Sequence, residues 1–211
     1  MAGRKRNRPS AQATEDDIKR AARRLFAQQG FVATTIREIA RAAAIEGGSI
    51  YYHFRGKDDV LVAILDEGNR TLLAAARAAL AQGGEPETDL RRLIGAHLRV
   101  LAADPDQMMV VTRELQRLKG KRREQIIQQR EAYQQVFEGV LERGIAQGAF
   151  GACDPKLMTF AILGLLNSVV NWFSAAGPKS IDELADEFTR MLLGGLLASA
   201  PRMIACGTAG R

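Results

Sequence analysis

The chain is poor in cysteine and histidine. Cys153 and Cys206 are its only cysteines, far apart and without CxxC or Cys/His spacing. That excludes a disulfide scaffold and a cysteine-based zinc site, and suits a reducing cytoplasm. His53 and His97 are its only histidines, and neither has an acid or nucleophile at a defining spacing. No acid–base, covalent or metal constellation is therefore legible, and an enzyme is not expected. Long apolar runs are absent too. The cleanest, Phe160 to Leu166, is far short of the ~20 residues a spanning helix needs. The charged N-terminus lacks the apolar core of a signal peptide. Alternating β-branched runs and Asn-Gly hairpin turns are missing, which removes the usual strand signals. Aromatic residues make up only 6%.

What is present is a 211-residue chain, 46% hydrophobic and 26% charged, enough for one large core or two small ones. Its positive charge is segregated. Residues 1–57 hold 12 Lys and Arg against 5 Asp and Glu, whereas residues 58–211 hold 18 against 19. The excess belongs to the first quarter, the footprint of an N-terminal part that binds a polyanion. Arg4, Lys5, Arg6 and Arg8 precede any acid. They read either as a solvated tail or as an arm that tracks phosphates or enters a minor groove.

Nearly every segment has helical periodicity. Thr14 with Asp17 reads as a capping box, and Ile18, Ala21, Ala22, Leu25 and Phe26 fall on one face that ends at Gly30. Thr35 with Glu38 reads as a second capping box, opening a helix of about nine residues through Ile39, Ala40 and Ala43. After a break at Ala44 to Gly47, Gly48 to Phe54 has room for two helical turns. A longer helix begins near Asp58. Further stripes run through Leu90 to Leu101 and from Ile126 to Ile145. Asp104-Pro105 and Asp154-Pro155 read as helix starts, Ser180 with Glu183 caps the last helix, and Gln116 to Arg123 stays ambiguous.

Three short helices in a basic region, the last two separated by a tight turn, are the plan of a helix-turn-helix module. Its second helix of the pair lies in the major groove. The ordered set Ala22, Leu25, Phe26, Gly30, Thr34, Thr35, Ile39, Ala40, Ala43, Gly48, Ser49, Ile50, Tyr51, His53, Phe54, Lys57 and Leu61 goes further. Through it, residues 14–61 resemble the N-terminal domain of TetR-family transcriptional regulators.

The resemblance implies an all-α fold of about nine helices, with no cofactor and no membrane partner. It implies a basic arm at 1–13, a helix-turn-helix domain at 14–57, a ligand-binding and dimerisation domain at 58–200 and a tail at 201–211. It implies a homodimer on a palindromic DNA operator, most often a repressor, released by a small hydrophobic effector. Thr35 and Lys57 match phosphate-contact positions, and Tyr52 and His53 lie late in the recognition helix. Arg37, Glu46, Gly47, Gly48 and Ser49 are further candidates for DNA contact. Ile39, Ile50 and Phe54 are expected in the core, and Tyr51 with them. In the turn the family usually has Gly, an apolar residue, then Ser or Thr, where this chain has Ala44, Ile45 and Glu46. Ala44 is tolerated if its φ stays negative, and Glu46 brings a negative charge able to accept from a cytosine amino group.

In the C-terminal part, small residues Ala161, Gly164 and Ser168 recur at helical spacing, and Leu184, Phe188, Met191 and Gly195 form an apolar stripe. Two such helices per subunit predict a four-helix dimer interface. The segment from Asn171 and the long helix are similar to a TetR subgroup responding to acyl-CoA thioesters. That resemblance implies an acyl-CoA or fatty acid effector. Such a ligand needs an apolar slot and cations for its phosphates. The expected pocket residues are His97, Arg113, Arg130, Tyr133, Phe137 and Trp172, with the basic run from Arg113 to Arg130 as a phosphate site or a solvated face. The rival reading is a basic helical protein that binds nucleic acid without sequence preference. Charge alone would not need the ordered spacing from Thr34 to Lys57.

Overall fold

The computed structural model describes residues 11–46 and 48–196. It builds them from eight α-helices and three single 3-10 turns, with no strand among the described residues. The expected arm, Gly47 and the tail from 201 lie outside them, apart from residues 11–13, which already belong to the first helix. That helix, α1 (Ala11–Ala33), starts before Thr14, so Thr14 is not its N-cap. Its helical path breaks at Gly30 (φ 81, ψ 160), where the sequence places the end of the apolar face. The left-handed φ explains why glycine stands there.

The helices α2 (Ile36–Ala42), α3 (Lys57–Leu80), α4 (Pro86–Ala103), α5 (Pro105–Arg113), α6 (Gly120–Ala146), α7 (Pro155–Ser168) and α8 (Ile181–Leu196) follow. Their starts are written in local chemistry. Asp104 accepts from Gln107 N at 2.9 Å, and Asp154 from Lys156 N and Leu157 N at 2.9 and 3.0 Å, each followed by proline in the first turn. Ser180 and Glu183 cap α8 reciprocally. The ambiguous stretch resolves into a 3-10 turn at Leu115–Arg117 and the start of α6 at Gly120.

The central helix is α3, packed against α1, α4, α5 and α6, while α4 also carries α8. Ile18 of α1, Ile39 of α2 and Ile50 of the turn beyond are all fully buried. Each such side chain contributes about 1.5–3 kcal/mol, more than the ~1 kcal/mol of a helix cap. Packing therefore holds the three N-terminal segments together, and the Thr35 cap sets where α2 begins.

Candidate functional site

The N-terminal segments present a basic, exposed face. Thr35 is the N-cap of α2, with the reciprocal contacts of the capping box in place: Glu38 N donates to Thr35 Oγ1 at 3.2 Å, and Thr35 N donates to Glu38 Oε2 at 2.7 Å. That backbone donor holds the Glu38 carboxyl below its ordinary pKa range. Helix α2 has seven residues rather than nine.

The turn after α2 closes in a Schellman geometry. Ile45 N donates to Ala40 O, and Ala44 N to Arg41 O, both at 3.1 Å. Those two bonds require a left-handed residue at position 44. Ala44 accordingly has φ 54, the one positive φ outside glycine among the described residues. The condition for an unstrained alanine, a negative φ, is not met: the hydrogen-bond pattern dictates the conformation, and alanine bears its strain.

The recognition segment is one 3-10 turn, Ser49–Tyr52, not two α-turns. Ile50 and Phe54 are buried and anchor it. Tyr51, expected in the core, is 57% exposed, and Tyr52 is 91% exposed. With both anchors on one side, the two tyrosines point away from the protein. Arg37, Glu46 and Gly48 are exposed, and Ser49 and His53 are half-buried. Gly47 is outside the described residues.

Lys57 has a structural engagement that spacing did not disclose. Its ammonium donates to Phe31 O at 2.6 Å, Thr34 O at 2.6 Å and Val32 O at 3.3 Å, and sits 4.3 Å from the centroid of the Phe31 ring. An ammonium has three donors, and here each meets a carbonyl between the end of α1, beyond its break at Gly30, and the start of α2.

The second site lies in the C-terminal helices. A cavity of roughly 200 Å³ is lined by Asn69 and Leu72 of α3, His97 of α4, Val111 and Thr112 of α5, Arg130, Tyr133 and Gln134 of α6, and Phe160, Leu163, Gly164 and Asn167 of α7. Three of the six expected pocket residues, His97, Arg130 and Tyr133, come together here. Phe137 is fully buried one layer behind, edge-on to Tyr133 at 5.5 Å between ring centroids. Trp172 is 55% exposed and packs on Phe188 at the surface. Neither lines the void, because a helical stripe reports which residues face inward and not where packing leaves space.

Burial pushes the His97 imidazole down to about 4, so it is neutral near pH 7. Its Nδ1 lies 2.8 Å from the Tyr133 hydroxyl. Arg130 is the one charged residue in the wall; burial lowers its pKa, and it has no ion pair among the described residues. A guanidinium stays charged regardless.

Arg130 and Thr112 also line an adjoining groove of about 580 Å³, with Arg113, Glu114, Leu115, Gln116, Arg117 and Arg123. Arg113 thus falls beside the cavity, in an arginine-rich channel. Of the expected interface residues, Met191 is 55% exposed, and Ala161, Gly164 and Gly195 are exposed. Ser168 and Phe188 are half-buried. Leu184 is buried within its own subunit.

Asn69, Thr112, Gln134 and Asn167 were not anticipated as wall residues. Asn69 had a legible signal, a polar residue on the stripe of Leu65, Leu72 and Ala76.

Two family models match this chain. "Bacterial regulatory proteins, tetR family" covers residues 18–64, and "Tetracyclin repressor-like, C-terminal domain" covers residues 83–196. The transcriptional repressor KstR2 of Mycolicibacterium smegmatis is 27% identical over 194 residues, 90% of this chain and 95% of that protein. A tetR-family regulatory protein from Rhodococcus RHA1 superposes with a TM-score of 0.83 at 27% identity, covering 89% of this chain and 98% of the other. AibR, solved with isovaleryl coenzyme A and operator DNA, shares the fold at a TM-score of 0.79 and 23% identity, over 85% of this chain and 98% of its own. No described helix is long and apolar enough to cross a membrane.

Proposed function

This chain belongs to the tetR family of bacterial regulatory proteins, and from that premise we propose that it is a repressor released from a palindromic operator by a coenzyme A thioester. Regulators of the family bind operator DNA and small-molecule effectors as dimers, and the relatives named above are regulators rather than enzymes.

On the DNA side, Arg37, Glu46, Gly48, Ser49, Tyr52 and His53 face the duplex with the helix start at Thr35. Two recognition segments roughly 34–36 Å apart meet successive major grooves. The exposed tyrosines touch backbone and base edges, and Lys57 acts by holding the joint between α1 and α2.

One observation carries the effector reading: the cavity and the arginine groove share Arg130 and Thr112. An acyl group fits the cavity, which is smaller than the ~300–1,000 Å³ of a whole drug-sized site. The thioester passes Arg130, and the coenzyme A phosphates lie against Arg113, Arg117 and Arg123. Charge-assisted contacts from arginine suit phosphate. AibR's bound thioester belongs to the same fold; the support here comes from this chain's own residues.

The test begins with the site protected upstream of the gene, at about 150 mM salt because non-specific binding collapses there. Hexanoyl-CoA, free coenzyme A and hexanoate are then titrated against the protein–operator complex. The expected result is release by the thioester alone, and at least tenfold weaker thioester binding in Arg130→Met with operator affinity unchanged. Release by hexanoate as efficient as by the thioester would overturn the coenzyme A reading. Loss of all DNA binding with salt and competitor would favour the non-specific reading.

A further inference from the structure

The cavity wall is not built for a plain hydrocarbon tail. Leu72, Val111, Phe160 and Leu163 supply apolar surface, but Asn69, His97, Tyr133 and Asn167 interrupt it. Asn69 is 3% exposed and His97 2% exposed. Asn69 Nδ2 and His97 Nε2 are both buried without a hydrogen-bond partner. Asn167 is near enough to oppose the fall in the His97 pKa, yet not in hydrogen-bonding geometry with Nε2. The Thr112 hydroxyl already donates within its own helix, to Met108 O at 2.9 Å and Met109 O at 3.1 Å.

A saturated acyl chain would leave those atoms, already shut off from water, still unpaired. Leaving a buried polar group unsatisfied is the expensive side of hydrogen-bond energetics. A site with such groups rejects analogues that lack the matching atom far more strongly than an apolar slot rejects an extra methylene.

Resting on the coenzyme A reading above, we infer that the effector's acyl group bears an uncharged oxygen of its own, a ketone or hydroxyl, which enters the cavity and pairs with Asn69 and His97. The chemistry at each atom follows from the His97–Tyr133 contact. When the Tyr133 hydroxyl donates to Nδ1, the proton of the neutral ring resides on Nε2. Nε2–H and the Asn69 amide are then two donors, and a ketone oxygen accepts from both. In the other tautomer Nε2 is an acceptor, and a hydroxyl oxygen donates to it while accepting from Asn69. A carboxylate is disfavoured: the wall's one cation, Arg130, is shared with the groove mouth.

The experiment compares six-carbon thioesters of one chain length by calorimetry: hexanoyl-CoA, its 3-, 4- and 5-oxo forms, and the corresponding hydroxy forms. At least one oxygenated thioester is expected to bind tenfold or more tightly than hexanoyl-CoA. Asn69→Leu, similar in size, should abolish that preference and leave hexanoyl-CoA binding as tight or tighter, with no loss of thermal stability. His97→Phe serves as a second, independent variant with the same expectation for the preference. Equal binding of hexanoyl-CoA and every oxygenated form would overturn this inference and leave the coenzyme A reading standing. So would a preference that survives both variants. Failure of every thioester to bind would overturn the coenzyme A reading and this inference with it.

Discussion

The backbone N–H of Phe31 donates to Glu114 Oε1 at 3.3 Å, a buried contact between residues 83 apart in sequence. The other carboxylate oxygen of Glu114 holds Arg117 Nε at 3.5 Å. Arg117 and Glu114 both line the arginine groove, and Phe31 is the residue after the break in α1. One carboxylate thus joins the proposed phosphate site to the joint that sets α2 against α1.

Phosphates that drew Arg117 away would change what Glu114 offers to Phe31. Glu114→Gln keeps an acceptor for the Phe31 N–H but loses the charge that engages Arg117. Its stability should change by only about 1 kcal/mol, and thioester binding should be retained. The factor by which thioester weakens operator binding should fall several-fold, and by reciprocity so should the effect of operator on thioester binding. Titrations of each ligand with and without the other measure both. An unaltered factor would leave Glu114 a purely structural residue.

Lys57 is tied to three carbonyls and one aromatic face. Lys57→Met keeps the stem and removes the donors. Urea denaturation should show a loss of about 1–3 kcal/mol, the cost of leaving carbonyls unpaired and a cation–π contact unmade. Operator affinity should fall while the slope of log K against log salt stays the same. A slope reduced by about one unit would instead mark a direct phosphate contact.

Ala44 at φ 54 stores strain that glycine relieves. An L-residue in the left-handed region carries roughly 1–2 kcal/mol, partly offset by the greater chain entropy glycine gives the unfolded state. Ala44→Gly should therefore raise stability by about 0.5–1 kcal/mol in denaturant titration. An equal or lower stability would show that the two hydrogen bonds of the turn are not what sets the backbone there.

These positions show what a sequence can and cannot disclose. Gly30 and the Thr35–Glu38 box were legible because each depends on residues within one or two turns, whereas the burial of Ile39, Ile50 and Phe54 was implied by the family resemblance. The length of the recognition segment was not, since Gly48 to Phe54 carries the same pattern for one 3-10 turn as for two α-turns. Nor was the φ of Ala44, which follows from bonds to Ala40 and Arg41 and not from the residue itself. The stripe through Tyr133 and Phe137 showed both facing inward, but only three-dimensional packing leaves a void at one and fills the other. The partners of Lys57 and Glu114 are set by tertiary packing, and no spacing encodes them.

His97 supplies the pH prediction. Its folded pKa, near 4, lies below the ~6.5 of an exposed histidine. Between those values the unfolded chain binds the proton and the folded chain does not, so stability falls as pH drops from about 6.5 to 4. The shift corresponds to roughly 3 kcal/mol across that window. Burial is the cause of the fall, opposed by Asn167, and Arg130 is the one charged group that lines the same cavity. Carboxylates titrate in the same range, so the measurement is a difference: wild type should lose about 3 kcal/mol more than His97→Phe between pH 6.5 and 4. Parallel stability curves for the two proteins would refute the burial argument.

The subunit exposes several large apolar side chains. Leu157 and Phe160 on α7, Trp172 just beyond it and Met191 on α8 are all large and exposed. Leu184 is buried within the subunit, so the stripe on α8 divides between buried and exposed positions. Met191 belongs to the outer part, and a charge there meets only solvent in an isolated subunit. In a dimer built on α7 and α8 the same charge would be buried without a partner, at a cost of several kcal/mol. Met191→Asp should therefore leave the helical content of the subunit unchanged, while the share of thermal stability that comes from association falls with it. It should raise the dimer dissociation constant by about 100-fold or more, because each 1.4 kcal/mol is tenfold. Operator affinity should drop in parallel, since one recognition segment alone reads half a palindrome. Sedimentation velocity across a concentration series checks the first effect and footprinting the second. A dimer undiminished by the aspartate would move the interface off this face of α8.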